Sequence, residues 1–245
     1  TKEMVAAIFS SFDRNTLKNF ENRNNEIGLP ETVFRMDDDT RLAILEMGMS
    51  SLGEISRLSR CGKPHAAIIT YIGVSHIEML GSRENILKAK LEITDGMDKD
   101  GFLVINGDDP YLTGAVDRIP VPVVTFGVED GDYDVAARNI SCKSFPSEFD
   151  IVDREHGVFR AVIPCSGINN VQDAIAAYAL ATRLGFDPAR CAAALSDYEP
   201  AGMRQRFRKV RDITVIEDCY NAAPESMEAA LRILSDLSCA GHRIG

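Results

Sequence analysis

The sequence predicts an α/β protein with a mostly parallel sheet flanked by helices, a small antiparallel meander, and the start of a second α/β unit. Three observations carry this. Short runs rich in Ile, Leu and Val (RLAILEM, AAIITYI, GFLVIN) alternate with helical patterns (SLGEISRLSR, SRENILKAKLEI), as in right-handed βαβ units. From Asp132 to Pro164 polar and apolar residues alternate around the turn EHG, which predicts antiparallel strands appended to the sheet. Near YEPAGMRQ, Pro200 and Gly202 interrupt the helical pattern before a fresh strand, DITVIED, and a fresh helix, PESMEAALRILSDL.

From the N-terminus, TKEMVAAIFSSF places Met4, Val5, Ile8 and Phe9 at helical spacing with no capping residue or turn before them, so the chain is expected to begin inside a helix. Further on, NVQDAIAAYALATRLGF sets Val171, Ile175, Tyr178 and Leu184 on one stripe, with Gly185 as the stop. The break at Pro200 divides the chain into residues 1–199 and residues 200–245. The second part holds about one strand and one helix, too little to bury a core by itself.

Composition limits the functions. With 45% hydrophobic and 26% charged residues over 245 positions, the chain can bury a core and is not disordered. A net charge of -10 opposes a broad phosphate-binding surface, which excludes nucleic acid as a partner but leaves room for a basic pocket holding a nucleotide. Cys61, Cys142, Cys165, Cys191, Cys219 and Cys239 form no CxxC pair, which suits reduced thiols better than a disulfide framework or a zinc site. No apolar run approaches the ~20 residues needed for membrane insertion, and the N-terminus lacks a signal-peptide arrangement. The expectation is a soluble, cytoplasmic protein.

Three residues are candidates for chemistry. Glu46 ends the apolar run LAILE, and His76 lies just beyond AAIITYI, so both are expected at the carboxyl edge of the sheet, where open α/β sheets bind ligands. A carboxylate and an imidazole together suit a divalent cation such as Mg²⁺. Each also has a plainer reading: Glu46 as a surface strand-end residue, His76 as a hydrogen-bonded loop residue. Lys90 fits a solvated helix face; alternatively, with Ala89 beside it and Ile86, Leu87 and Ile93 nearby, it sits near packed surface, where desolvation lowers an amine's pKa. A neutral amine can take up carbon dioxide and become an anionic carbamate.

The stretches NRNNEIGLP, AILEMGMSSLGEISRL, AIITYIGVSHIEMLGSRENILKAKLEI, GFLVINGDD and EDCYNAAPESMEAAL, taken together, resemble the successive motifs of the Mur ligases over almost the whole chain. The resemblance implies a central ATPase domain of P-loop NTPase type at residues 1–199, then a linker and the beginning of a Rossmann-like C-terminal ligase domain at 200–245. It implies ATP-dependent amide formation in peptidoglycan precursor synthesis, and hence a part in cell shape and division. The motif combination points to UDP-N-acetylmuramoyl-tripeptide and D-alanyl-D-alanine as the joined substrates, with an acyl phosphate between. A ligase for the third peptide residue, a polyglutamate-type ligase and a non-catalytic Mur-like module are the alternatives.

By the same resemblance, Glu46 and His76 match magnesium ligands and Lys90 matches a carbamylated lysine. Asn24 and Asn25 match paired substrate-side asparagines. Asn170 matches an adenine contact, Arg204 an arginine directed at the ATP phosphates and Asp218 the acid near the ribose, while Asn221 belongs with Tyr220 to the same nucleotide-facing motif. The family pattern has TKEM following a glycine-rich phosphate loop ending in GKT, and the sequence here begins at Thr1; the expectation is that the polypeptide as given does not catalyse ligation. Smaller departures are Asn19 and Glu21 upstream of the paired asparagines, Asn169 where the family has histidine, and Ala223 where it has asparagine. As the residue before Pro224, Ala223 is expected to be the N-cap of the last helix.

Overall fold

The computed structural model describes residues 1–12, 15–143, 145–237 and 241–245; Cys239 lies outside these. Helix α1 (Lys2–Ser10) starts at the second residue and buries Met4, Val5, Ala6, Ile8 and Phe9, the face its spacing predicts. Strand β1 (Thr16–Lys18), which the sequence reading did not single out, is followed by α2 (Gly28–Val33) and β2 (Leu42–Ile44). β1 and β2 pair in parallel as a two-stranded sheet.

The main sheet follows: α3 (Glu54–Gly62), β3 (Ala66–Ile69), α4 (Ile77–Leu80), α5 (Arg83–Leu91), β4 (Phe102–Asn106), α6 (Pro110–Thr113), β5 (Val123–Gly127), β6 (Val135–Ser141), β7 (Ser147–Asp153) and β8 (Gly157–Ile163). Its order is β3-β4-β5-β6-β7-β8. The ladders from β3 to β6 are parallel, and those from β6 to β8 are antiparallel. The predicted meander therefore extends the parallel sheet instead of forming one of its own.

Helix α7 (Ile168–Arg183) covers one face of this sheet and packs against α1 and α8 (Pro188–Ala194). Its buried side includes Ala174, Ala176, Ala177, Ala179 and Ala181, small side chains that let the helix axis lie close to Val104, Phe126 and Phe149. Gly185, at φ +86°, ends the helical segment in the left-handed conformation as the sequence predicts. On the opposite face Ile69, Ile72, Ile86, Leu87, Leu103, Ile105 and Leu112 form a second core cluster, giving helix, sheet and helix layers.

After Pro200 come β9 (Arg206–Val210) and β10 (Ile213–Glu217), an antiparallel hairpin, and α9 (Pro224–Asp236). β9 was not foreseen. Ala223 is the N-cap of α9 and offers no side-chain acceptor, while its own N–H is met by Ser226 Oγ at 3.0 Å.

One expectation needs correction. Glu46 does not end a strand of the main sheet, because β2 stops at Ile44 and its ladder runs to β1. β2 and β3 are each hydrogen-bonded along one edge, and a cleft of about 2480 Å³ lies between them, lined by Leu42–Leu45 on one side and Ala66–Ile69 on the other. Both runs are apolar enough to read as neighbouring strands. Strand adjacency is a matter of tertiary pairing, which hydrophobicity does not encode.

Candidate functional site

Three elements bring side chains to this cleft. The loop after β2 carries Glu46, the loop after β3 carries His76, and α5 carries Lys90; all three line the cleft, as do Asn170 and Arg204. Glu46 is held from several sides. Asn19, almost fully buried, donates from Nδ2 to the Glu46 carbonyl at 2.9 Å and accepts the Glu46 N–H on Oδ1 at 3.0 Å. Asn24 Nδ2 donates to Glu46 Oε1 at 2.8 Å, and Lys2 Nζ stands 3.6 Å from Oε2. The carboxylate is thus fixed and partly neutralised at the cleft wall.

His76 is exposed and adopts φ +65°, at the residue before α4. Lys90 Nζ donates to the Tyr71 carbonyl at 2.6 Å. Burial lowers the Lys90 pKa below the ordinary lysine value, against the opposing pull of the Asp109 carboxylate. Lys90 itself is half-buried, between the solvated and the desolvated reading, and the lowered pKa favours the second. Asp109 is itself committed: Oδ2 accepts the Ile72 N–H at 2.7 Å, and Oδ1 accepts the amides of Tyr111 and Leu112 at the start of α6.

The residues expected at the nucleotide form a linked set. Asn170 Nδ2 donates to the Ser166 carbonyl and to Gln205 Oε1, both at 2.7 Å, while the Gln205 N–H reaches Asp218 Oδ1 at 3.3 Å. Gln205, unremarked in the sequence, therefore joins Asn170 on α7 to Asp218 beyond β10. Next to it the Arg204 guanidinium stacks on the Tyr220 ring, 4.4 Å from the centroid.

Not every expected residue faces the cleft. Asn25 accepts the N–H groups of Ile27 and Gly28 on Oδ1 and so starts α2, and Asn221 accepts its neighbour Ala222 N–H. Asn24 acts through Glu46. Asn169 does line the cleft. Also absent from the sequence reading were Asp108 and Gln172 at the ends of β4 and α7. Asp108 Oδ1 accepts the Tyr133 hydroxyl at 2.6 Å, Gln172 Nε2 donates to Oδ2 at 3.2 Å, and the Tyr133 phenol is pushed up to about 12 by burial and by Asp108. The doubled acid GDD was a visible signal, but its partners lie far away in sequence.

The donor chemistry constrains any metal. Among the described residues no cluster of three or more His, Cys, Asp or Glu gathers to hold one. Glu46 and His76 give one oxygen group and one imidazole, short of what a hard cation takes from protein alone, and an ammonium at Lys90 would repel it. A carbamate at Lys90 would supply the missing anionic oxygen. The residues fit a Mg²⁺ on that condition.

A mostly parallel open sheet with charged and amide side chains beside its edge defines an α/β protein of the class that binds ligands at that edge. The sequence profile of the Mur ligase middle domain matches residues 1–181. The UDP-N-acetylmuramoyl-tripeptide--D-alanyl-D-alanine ligase of Bacillus subtilis (strain 168) is 40% identical over 246 residues, covering 100% of this chain and 52% of the relative. The enzyme of the same name from Synechocystis is 32% identical, over 96% of this chain and 49% of its own. A crystal structure of MurF from Acinetobacter baumannii superposes with a TM-score of 0.90 at 30% identity, over 96% of this chain and 51% of that one. The chain belongs to the Mur ligase family. It spans about half the length of the curated relatives it matches.

Proposed function

We propose that this chain is the central part of an ATP-dependent ligase that joins D-alanyl-D-alanine to UDP-N-acetylmuramoyl-tripeptide in peptidoglycan precursor synthesis. Residues 1–199 are its ATPase domain, and 200–245 the linker and beginning of the C-terminal ligase domain. The reading rests on Glu46, His76 and Lys90 lining one cleft, with the Lys90 pKa lowered by burial. The named relatives, similar over the whole chain, support the choice of substrates. We assign the reaction to the cytoplasm, in keeping with ATP chemistry and with free thiols at Cys61, Cys142, Cys165, Cys191 and Cys219.

Glu46, His76 and the Lys90 carbamate would hold Mg²⁺, which supplies charge neutralisation for the transferring phosphoryl group. The carbamate forms when the neutral Lys90 amine attacks carbon dioxide, making the N–C bond and releasing one proton. Desolvation favours the neutral amine this step needs. Asn24 and Lys2 hold Glu46 in place. Asn170, with both Nδ2 hydrogens donated within the protein, keeps Oδ1 as an acceptor for the adenine amino group. By the family motif Arg204, stacked on Tyr220, is the arginine for the ATP phosphates and Asp218 the acid for the ribose, while Asn221 belongs to the same motif without a separate role. Asn24 and Asn25 belong to the substrate-side motif, Asn24 acting through the Glu46 carboxylate it holds and Asn25 through the start of α2 that it caps. The tripeptide carboxylate attacks the γ-phosphate to give an acyl phosphate and ADP, and the dipeptide amine then displaces phosphate.

The test is ADP release by the whole ligase, which should require both the UDP-linked tripeptide and D-alanyl-D-alanine; release indifferent to the dipeptide would overturn the assignment. Intact mass in bicarbonate should show one carbon dioxide added at Lys90. Because the pKa of Lys90 is lowered, the adduct should form at a lower pH than on an ordinary lysine, and its occupancy should rise with pH.

A further inference from the structure

The segment that carries His76 is fastened unevenly. At its start, Lys90 Nζ holds the Tyr71 carbonyl at 2.6 Å, Asp109 Oδ2 holds the Ile72 N–H at 2.7 Å, and Arg83 Nε donates to the Ile72 carbonyl at 3.0 Å. All three anchors belong to the main α/β unit, and they stop at Ile72. Beyond it, the Val74 N–H donates to Glu225 Oε1 at 3.1 Å, across 151 positions of sequence. Glu225 is in the first turn of α9. Two residues after Val74, His76 takes its φ of +65° and the chain turns into α4, where the Ile77 N–H closes back on the Val74 carbonyl at 3.0 Å.

Val74 is thus held on both sides of its residue, by a local turn and by a carboxylate from the other end of the chain. Glu225 Oε1 also lies alongside the neighbouring Gly73, where a Cβ would meet it at an ordinary 3.5 Å and press more closely, at 3.3 Å, on the Tyr71 ring. The far end of α9 is seated separately: Ile233, 6% exposed, packs where Gly167 has no side chain. A hydrogen bond from an amide to a charged carboxylate is stronger than a neutral one, enough to set the opening equilibrium of a short turn.

We propose that Glu225 is a positioning residue that ties the seating of α9 to the placement of His76, so that the His76 turn is ordered when the 200–245 segment is docked. This rests on the proposed role of His76 for its catalytic meaning, but the geometric tie stands apart from it. The plainer alternative is that Glu225 only favours the N-terminus of α9 through the helix dipole.

Amide hydrogen exchange on Glu225→Ala and Glu225→Gln separates the two. The tie predicts that exchange at Val74 rises about tenfold or more in Glu225→Ala, and that Glu225→Gln, which keeps an acceptor oxygen, stays within about threefold of the parent. In the whole ligase, Glu225→Ala should raise the Mg²⁺ concentration for half-maximal rate while leaving the dipeptide KM unchanged, with Glu225→Gln restoring it. Unchanged exchange at Val74 in Glu225→Ala, or a Gln variant as impaired as the Ala one, overturns the proposal. Either result is independent of whether ADP release needs both substrates, so failure of the tie and failure of the ligase assignment are told apart.

Discussion

Helix α7 buries every position from Ala174 to Thr182, whereas α9, nearly as long, is fully buried at Ile233 and leaves Met227 and Leu231 in solvent. Both carry a group that lines the large cleft, Asn170 from the first and Glu225 from the second. The difference lies in what they cover. α7 lies on the main sheet and shares a core with α1 and α8, while α9 and the β9–β10 hairpin meet the rest at separate points that include Gln205 to Asn170, Glu225 to Val74, Phe207 against Phe145 and Ile233 against Gly167. Stability is thus concentrated in one region, and the segment beyond Pro200 is free to open at small cost.

The contrast can be broken at its strongest point first. Phe149→Ala, at a fully buried position of the main sheet, should cost about 3–5 kcal/mol in denaturant unfolding, and Leu231→Ala on α9 within about 0.5 kcal/mol. Similar losses at the two positions would end the distinction.

A test nearly as large uses charge. Asp153 is buried at the end of β7, and burial alone would raise its carboxyl, but hydrogen bonds from Arg183 and His156 and from the Glu155 amide outweigh this and hold it below the ordinary 3.8. Its contribution is therefore present above that ordinary value and lost as pH falls through the lower folded value. Arg183→Met should cost about 3 kcal/mol at neutral pH by leaving the buried carboxylate without its guanidinium and with only His156 and the Glu155 amide, and the loss should shrink in acid. A loss that instead grew as pH fell would reverse the sign of this reading.

Ile233→Ala sharpens the comparison from the other side. It should lower the local opening energy of α9 by about 2 kcal/mol, seen as faster amide exchange there, with the unfolding midpoint of the main sheet unmoved. A shift of the global midpoint would mean that the segment is an integral part of the core. Smallest is Ala223→Asn, which gives α9 the side-chain acceptor its N-cap lacks; exchange protection in its first turn should rise by about 1 kcal/mol.

Much of this was legible in order. The runs LAIL, AAII, FLVI and the alternation after Asp132 marked strands, and the Met4, Val5, Ile8, Phe9 spacing marked a helix, because the period of the buried face is written locally. β1 and β9 were missed: TLK is three residues long, and RFRKV is mostly exposed and charged, so neither carries a strand's hydrophobic signature. At the site, Glu46, His76 and Lys90 could be singled out as residue types following apolar runs or beside packed surface, though Glu46 proved to follow β2 outside the main sheet. Lys2, Gln205 and Glu225 could not, since each is an ordinary exposed-looking residue until a distant segment places an acceptor or donor against it.

The sequence by itself determined the kind of elements, their succession and the family to which the chain belongs, since these follow from short-range periodicity and from motifs read in a line. Tertiary structure alone decided that β2 pairs with β1 and leaves a cleft beside β3, that Lys90 reaches the Tyr71 carbonyl, and that Glu225 reaches Val74. Those are outcomes of long-range burial and pairing, where a side chain's charge and hydrogen bonds depend on neighbours that the local sequence does not specify.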